Sequence, residues 1–328
     1  MSNVRFQFEY DTRIRCAFVG AGNHSFRNVY PALQYAPVDL HAVCDTDISR
    51  ARAYAKQFGA AHSYADHHEM LRIERPEAVF IVTGYDADGR VQATDIAMDC
   101  LRAGAHVWME KPTAATSLEI RDLERTSRES GRSVMTGLKK IFTPAMQKVK
   151  AVITSSDFET VSSISVRYPQ SLPAEDERDN GAGMRGFLDH IYHPAAILTY
   201  LGGPISRMSY EWEPANGATV TSLRFASGAI GALHLAAGAA PNSPLERVEV
   251  VGRGGNIVID NGVRVTYYRA GGESVYGREG SYVVDDEVAP LMWEPEFSLG
   301  QLYNKNLFYL GYVPEILHSV TRCRDTSR

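Results

Sequence analysis

Cys16-Ala17-Phe18-Val19-Gly20-Ala21-Gly22-Asn23-His24-Ser25 decides the fold: a short apolar run feeds straight into a glycine loop, and a helical stretch over 28–35 follows. The spacing is that of G-x-G-x-x-G with serine at the third site, the strand-to-helix turn of a dinucleotide-binding βαβ unit. Gly20 permits the tight turn, Gly22 lets the backbone approach a pyrophosphate, and Ser25 is small enough for close helix packing. Asn23, His24 and Ser25 open the helix, where backbone N–H groups lack intrahelical partners and the positive dipole end attracts anions. Alone the motif is weak, because a ligand-free tight turn reads the same way.

Working outward, residues 40–44, 78–82, 106–109 and 133–135 repeat the apolar run, with helical stretches at 48–57, 94–103 and 118–130 between them. That alternation predicts an α/β, doubly wound parallel sheet, a Rossmann domain over residues 1–140. The second run leads into Asp45, where a carboxylate accepts hydrogen bonds from the adenosine ribose; an N-cap for the next helix is the competing role. A carboxylate there repels a 2'-phosphate, and Thr46 and Asp47 bring no countercharge, so NAD is expected rather than NADP. Arg50 swinging toward a phosphate is the open alternative. Thr83 after the third run, with Glu110 and Lys111 at the end of the fourth, completes the expected cofactor set, since open α/β sheets take ligands at strand carboxyl ends. An exposed loop lysine is the bland reading of Lys111.

From about residue 158 the texture changes to period-two alternation, as in VSSISVRY, ATVTSLRF and ERVEVVG, broken by Gly, Pro and Asn turns. This predicts a second domain over 141–328, an α+β unit with a large, mainly antiparallel open sheet. One strong helix interrupts it, with Leu188, Ile191, Ala195 and Leu198 forming a core-facing stripe. Asp189 and His193, four apart, share a face beside that stripe. Imidazole titrates nearest neutrality and can take an alcohol proton, while Lys111 can stabilise the developing alkoxide. An Asp-His pair that only supports its helix remains open. So does a zinc site of Asp189, His190 and His193, although no further ligand cluster is visible and no metal is expected. A last helix near Pro314 runs to the end of the sequence, and further C-terminal residues are expected beyond it.

The 328 residues suit roughly two domains of about 150 residues each. Hydrophobic residues at 44% and charged residues at 22% exclude a disordered or fibrous chain. A net charge of -5 leaves no broad cationic surface for nucleic acid or anionic lipid. Charges and aromatics break the opening MSNVRFQFEYDTRIR where a signal peptide needs an apolar region, and no later run is long enough to span a bilayer, so a cytoplasmic protein is expected. Cys16, Cys44, Cys100 and Cys323 form no CxxC pair and read as structural thiols.

The GAGNHS loop, AVCDTDISRARAYAKQFG, the EKP tripeptide, GLKKIFTPAM, GFLDHIYHPAAILTYLGG and GYVPEIL occur in an order and spacing that resembles the Gfo/Idh/MocA family over nearly the whole chain. The resemblance implies a nicotinamide-dependent oxidoreductase that moves a hydride between cofactor and a secondary alcohol or ketone of a sugar, inositol or related polyol. Lys111 matches the family's EKP lysine, which hydrogen-bonds the reacting hydroxyl. Asp189 and His193 match its D-x-x-x-H motif, the aspartate holding substrate and the histidine accepting the proton. A homodimer or homotetramer through the second domain is also implied, and an antiparallel sheet covered on one face leaves its other face for a partner.

The chain departs from the family after the third run, which reads VTGYDADGRVQAT, and at Lys139, Lys140 and Ile141, where Asn-Arg-Arg is usual. The lysine pair can grip a substrate carboxylate or phosphate, or be a solvated charge pair. Residues 168–186 read as a polar lid, with Tyr168 and Arg185 as candidate contacts, or as an ordinary connection. His190 is a second substrate contact or a packed histidine. Two alternatives to a dehydrogenase stay open: an enzyme of glycosidase or epimerase type that lends and regains its hydride around retained NAD, and a non-catalytic nucleotide-binding regulator. Lys111, Asp189 and His193 together argue against the regulator.

Overall fold

The computed structural model describes residues 10–86, 88–179, 181–243, 245–269, 289–295 and 305–326. It divides into two compact units, one of Met1–Leu138 with Tyr312–Arg328 and the other of Lys139–Gly311. The first division falls two residues from the expected boundary. The C-terminal helix, expected in the second domain, returns to the first unit.

The first unit is built on six parallel strands: β1 (Ile14–Val19), β2 (Val38–Cys44), β3 (His62–Tyr64), β4 (Ala78–Ile81), β5 (His106–Glu110) and β6 (Val134–Gly137). They pair in the order β3-β2-β1-β4-β5-β6. The order reverses between β1 and β4, the switch point at which such sheets open a crevice. A π-type turn, Ser25–Val29, leads from the glycine loop into α1 (Tyr30–Leu33), followed by α2 (Ile48–Phe58), α3 (His67–Glu74), α4 (Gln92–Arg102) and α5 (Ser117–Ser130). Four-residue runs such as Ala78–Ile81 are buried throughout, as strands covered on both faces must be. Tyr30 stacks on Phe18 at 3.9 Å and on Phe58 at 4.4 Å between ring centres, locking the first helical segment onto the sheet.

β3 and α3 escape the apolar pattern, because β3 is three residues long with no fully buried side chain. A buried carboxylate holds them instead. Glu74, at the end of α3, accepts from the Tyr64 hydroxyl, from Arg15 at 2.8 Å and from His62 at 2.7 Å, with His41 3.5 Å away. Four donors around two oxygens match the lone pairs available, so burial costs little.

The second unit carries β7 (Val161–Tyr168), β8 (Ile205–Glu213), β9 (Ala218–Phe225), β10 (Ile230–Leu235), β11 (Arg247–Gly252), β12 (Asn256–Asp260), β13 (Arg264–Tyr268) and β14 (Leu291–Trp293). They form one sheet in the order β14-β13-β12-β11-β7-β10-β9-β8. Every neighbouring pair is antiparallel except β7 and β10. After β7 the chain crosses through α7 (Glu175–Arg178) and α8 (Gly181–Gly202) to the far edge, and two hairpins bring it back beside β7 running the same way. α6 (Pro144–Ile153) and α8 cover one face, packing Met146, Val149, Leu198 and Leu201 against Ile164, Val166, Phe225 and Val250. The other face leaves Val220, Ile230 and Met292 exposed, whereas Met208 and Tyr210 pair with Leu223 and Thr221 and lie on the helix-covered side of β8.

Residues 168–186 are not one long loop. Tyr168 ends β7, α7 occupies the middle, and α8 has begun by Gly181. The remaining helices are α9 (Lys305–Tyr309) and α10 (Tyr312–Thr326), the latter packed on α1. Among the described residues no helix is long and apolar enough to cross a membrane. All four cysteines are buried and none forms a disulfide, and burial pushes their thiols up, Cys44 to about 12 and Cys323 to about 11.

Candidate functional site

In the first unit, β1 delivers the glycine loop to the carboxyl edge of the sheet. Its two glycines serve different purposes. Gly20 has φ +110°, and a Cβ there would lie 1.9 Å from the Val82 carbonyl oxygen, so the turn and the close approach of β4 both require glycine. A Cβ on Gly22 would meet nothing within 4 Å. The protein itself places no demand on that position, and the open space above it fits a pyrophosphate approaching the backbone.

Ser25 does more than stay small. It is fully buried, its hydroxyl donates to the Gly22 carbonyl at 2.8 Å, and it accepts from the Gly22 N–H at 3.1 Å. The Tyr54 hydroxyl of α2 donates to the same carbonyl at 3.1 Å. Asp45 accepts from the Ala21 N–H at 2.8 Å and the Asp47 N–H at 2.9 Å, and pairs with Arg50 at 2.9 Å. Asp47, not Asp45, caps α2, accepting from the Ser49 and Arg50 N–H groups. The competing capping role of Asp45 is therefore taken by its neighbour, and Asp45 ties the end of β2 to the glycine loop.

Thr83 follows β4, and its buried Oγ1 has no hydrogen-bond partner among the described residues. A buried hydroxyl without a partner is costly, so this atom at the strand's carboxyl end fits a ligand group. These observations, the open Gly22 and the unmet Thr83 hydroxyl, suit a dinucleotide held by the loop, Asp45 and Thr83.

The EKP tripeptide ends β5. Glu110 is buried; one oxygen lies 3.0 Å from His24 Nε2 and the other accepts the Lys111 N–H at 3.0 Å. One carboxylate thus joins the glycine loop to the backbone of Lys111. Asn23 and His24 form the helix start, and the His24 ring is further placed by Asn28 at 3.4 Å and by the Tyr312 hydroxyl at 3.4 Å. Tyr312 is buried, and burial, then the charges of Glu110 and Glu315, push its hydroxyl up, so it stays protonated. Sequence reasoning missed Tyr54 and Tyr312. Tyr54 lies in the AVCDTDISRARAYAKQFG landmark and Tyr312 in GYVPEIL; both stretches pointed to the family without assigning either tyrosine a contact.

In the second unit, α8 carries Asp189 and His193 one turn apart. His193 is only 6% exposed and Asp189 is half-buried. The expected stripe is corrected in part: Ile191 and Leu198 do pack on the core, Leu188 and Ala195 are half-buried, and Pro194, Ile197 and Leu201 complete the buried face. His193 therefore lies within the buried set rather than beside it, because this helix is apolar around more than one face. His190 is exposed, and its ring N–H donates to the Gly186 carbonyl at 3.1 Å. Asp189, His190 and His193 are not among the described clusters whose ligand atoms converge within 4.8 Å; those are His41 with His62 and Glu74, and Asp66 with His67 and His68.

Lys140 is paired with Glu246 and lies 4.9 Å over the Tyr168 ring. Tyr168 is a core residue, and burial pushes its hydroxyl up. The pair Lys139-Lys140 is thus not simply solvated, and Arg185 is half-buried on the first turns of α8.

A parallel sheet with a nucleotide loop at its switch point, joined to a separate sheet unit, defines a dinucleotide-binding protein of Rossmann class. Residues 14–138 match the family described as "Oxidoreductase family, NAD-binding Rossmann fold", and residues 146–258 match the GFO/IDH/MocA C-terminal domain. The two matches span most of the chain, and it belongs to the Gfo/Idh/MocA oxidoreductase family, with an NAD-binding Rossmann domain.

The chain is 27% identical over 142 residues to trans-1,2-dihydrobenzene-1,2-diol dehydrogenase of Mus musculus, covering 43% of this chain and 41% of that one. It is 28% identical over 189 residues to inositol 2-dehydrogenase of Salmonella paratyphi B, covering 57% and 54%. These alignments span about half the length of the curated relatives. A crystal structure of a dehydrogenase from Chromobacterium violaceum shares the fold, with a TM-score of 0.78 at 18% identity over 96% of this chain and 88% of that one.

Proposed function

We propose that this protein is an NAD-dependent dehydrogenase that oxidises a secondary alcohol of a sugar, cyclitol or related polyol, or reduces the matching ketone. The observation that carries the reading is the Glu110 carboxylate, which joins the glycine loop through His24 to the backbone of Lys111. A lysine so tied to a nucleotide loop suits chemistry beside the cofactor rather than a solvent-exposed surface.

Bound nicotinamide supplies the hydride acceptor or donor. Lys111 donates a hydrogen bond to the reacting oxygen and stabilises its negative charge as the proton leaves. His193 accepts that proton, and Asp189 holds a neighbouring hydroxyl of the substrate. In the reverse direction His193 returns the proton and Lys111 polarises the carbonyl.

NAD is assigned over NADP because Asp45 lies at the ribose position and its partner Arg50 is held by it. A 2'-phosphate would meet the carboxylate and would have to draw Arg50 away. Tyr168 stands beneath Lys140 and is assigned a supporting part, with Lys139, Arg185 and His190 as further substrate contacts. A second copy of the chain covers the exposed apolar sheet face of Val220, Ile230 and Met292, giving a dimer or tetramer. The reading assigns the protein to the cytoplasm, where four buried thiols outside any disulfide stay reduced.

The test is NADH formation across sugars, inositols and their amino derivatives, with NADP run in parallel. Oxidation of a polyol with NAD preferred supports the reading; NAD binding without turnover on any of them overturns it in favour of a regulator. Light scattering on wild type and Val220→Asp checks assembly, the expected outcome being a multimer that the variant shifts toward monomer.

A further inference from the structure

A cavity of about 580 Å³ lies within the second unit, between residues 169–173 after β7, the first half of α8 and residues 236–239 after β10. Its size falls within the range of about 300–1,000 Å³ usual for small-molecule sites. Gly183, Gly186 and the run Ala236-Ala237-Gly238-Ala239 form small-residue walls, Phe187 supplies an aromatic surface, and Gln170, Glu177, His190 and Asn216 bring polar groups to it. No lysine or arginine lines it among the described residues.

Gln170 marks the cavity as more than a packing gap. The residue is nine-tenths buried, and its amide NH2 donates to the Phe187 carbonyl at 2.7 Å. That bond fixes the amide, since the flipped rotamer would set two carbonyl oxygens against each other. Its Oε1 is then buried with no hydrogen-bond partner. A buried acceptor left unmet calls for a donor from outside the chain.

The lining also says what kind of ligand suits it. Planar amide, carboxylate and imidazole groups bond hydroxyls, while an aromatic and alanine wall accepts the apolar C–H face of a ring. Without a guanidinium or ammonium the cavity offers nothing to balance a phosphate or carboxylate. Its place relative to Asp189 follows from α8. His190 lines the cavity and directly follows Asp189, so the two side chains lie about 100° apart around the helix at almost the same height.

Building on the dehydrogenase reading above, we propose that this cavity receives a second, neutral sugar ring of the substrate. The protein then acts on a glycoside or disaccharide rather than on a free monosaccharide, an inositol or a sugar phosphate. Gln170 Oε1 accepts a hydroxyl of that second ring, and Phe187 lies against its apolar face.

The test measures NADH formation by wild type, Gln170→Leu and Ala237→Leu with glucose, myo-inositol, glucose 6-phosphate, trehalose, maltose and cellobiose. Wild type is expected to show kcat/KM for at least one disaccharide about tenfold or more above glucose and myo-inositol. Each variant, one removing the acceptor and the other filling the space, is expected to cut that disaccharide-to-monosaccharide ratio by about tenfold, mainly through KM. A preference for glucose, myo-inositol or glucose 6-phosphate, or a ratio that neither variant changes, overturns the sugar subsite and leaves the dehydrogenase reading standing. Failure to oxidise any of the six while NAD still binds overturns both.

Discussion

The glycine loop and helix α8 handle their polar groups in opposite ways. Around the loop, nearly every polar group is spoken for: Asp45 by Ala21, Ser25 by Gly22, and the Gly22 carbonyl by Tyr54. What stands out there is emptiness, the free space above Gly22 and the unmet Thr83 hydroxyl. On α8 the informative feature is the reverse, a histidine 6% exposed among apolar neighbours with a carboxylate one turn away. The proposed cofactor loop is thus marked by contacts the chain does not make to itself, and the proposed proton acceptor by a titratable side chain where an apolar one would pack more cheaply.

The strongest way to break this contrast is to remove the proposed proton acceptor from α8. His193→Ala is expected to lower kcat by about 10²–10⁴-fold, the usual contribution of a positioned proton acceptor, with the NAD dissociation constant essentially unchanged. Full turnover in that variant, measured on the true substrate with an unaltered melting curve, would make His193 a packing residue and end the comparison.

The loop is tested by its two glycines. Gly20→Ala is expected to cost about 3 kcal/mol or more, because strain at positive φ adds to a clash with the Val82 carbonyl. Gly22→Ala is expected to alter stability by less than about 0.5 kcal/mol and to weaken NAD binding by about tenfold or more. Denaturant titration alongside NAD titration separates the two. Equal stability losses would show that Gly22 serves the protein and not a ligand.

Asp45→Ala falls between these, since it removes an acceptor from the Ala21 and Asp47 N–H groups and frees Arg50. A loss of about 1–3 kcal/mol is expected from the orphaned donors, together with a narrowed preference for NAD over NADP in competition kinetics. An unchanged cofactor ratio would assign Asp45 to loop support alone.

The smallest effect concerns Glu74, a buried polar group fully served inside the chain. Burial by itself would raise its carboxyl, but the Tyr64 hydroxyl, His62, Arg15 and His41 overcome this and hold it below its ordinary value of 4.5. A depressed carboxylate contributes stability that is full above its unfolded-state value and is lost as pH falls through the folded one. Wild type should therefore lose melting temperature more steeply below about pH 4.5 than Glu74→Gln does. Parallel curves for the two proteins would mean the four donors do not act through its charge.

Much of this was legible in the sequence, for physical reasons that also explain the gaps. β1, β4 and β5 are buried on both faces and show as apolar runs, and Asp45 follows a strand end at the right distance from the loop. β3 is invisible because a carboxylate rather than apolar burial holds it. Asp189 and His193 could be paired from their spacing, but His193 could not be placed in the buried set, since α8 is apolar on more than one side. Tyr54 and Tyr312 act on the loop across 32 and 288 residues of sequence, and no local period reports contacts of that kind. Gln170 is likewise silent, because an acceptor is orphaned only by the shape of what surrounds it.

The return of α10 to the first unit makes the second unit an insertion between β6 and the helix that completes the nucleotide domain. On the ribosome, the glycine loop emerges before the second unit and its Tyr312 hydroxyl partner after it. The loop that meets the cofactor is therefore finished only when synthesis of the intervening sheet is over, which times the completion of one unit by the making of the other.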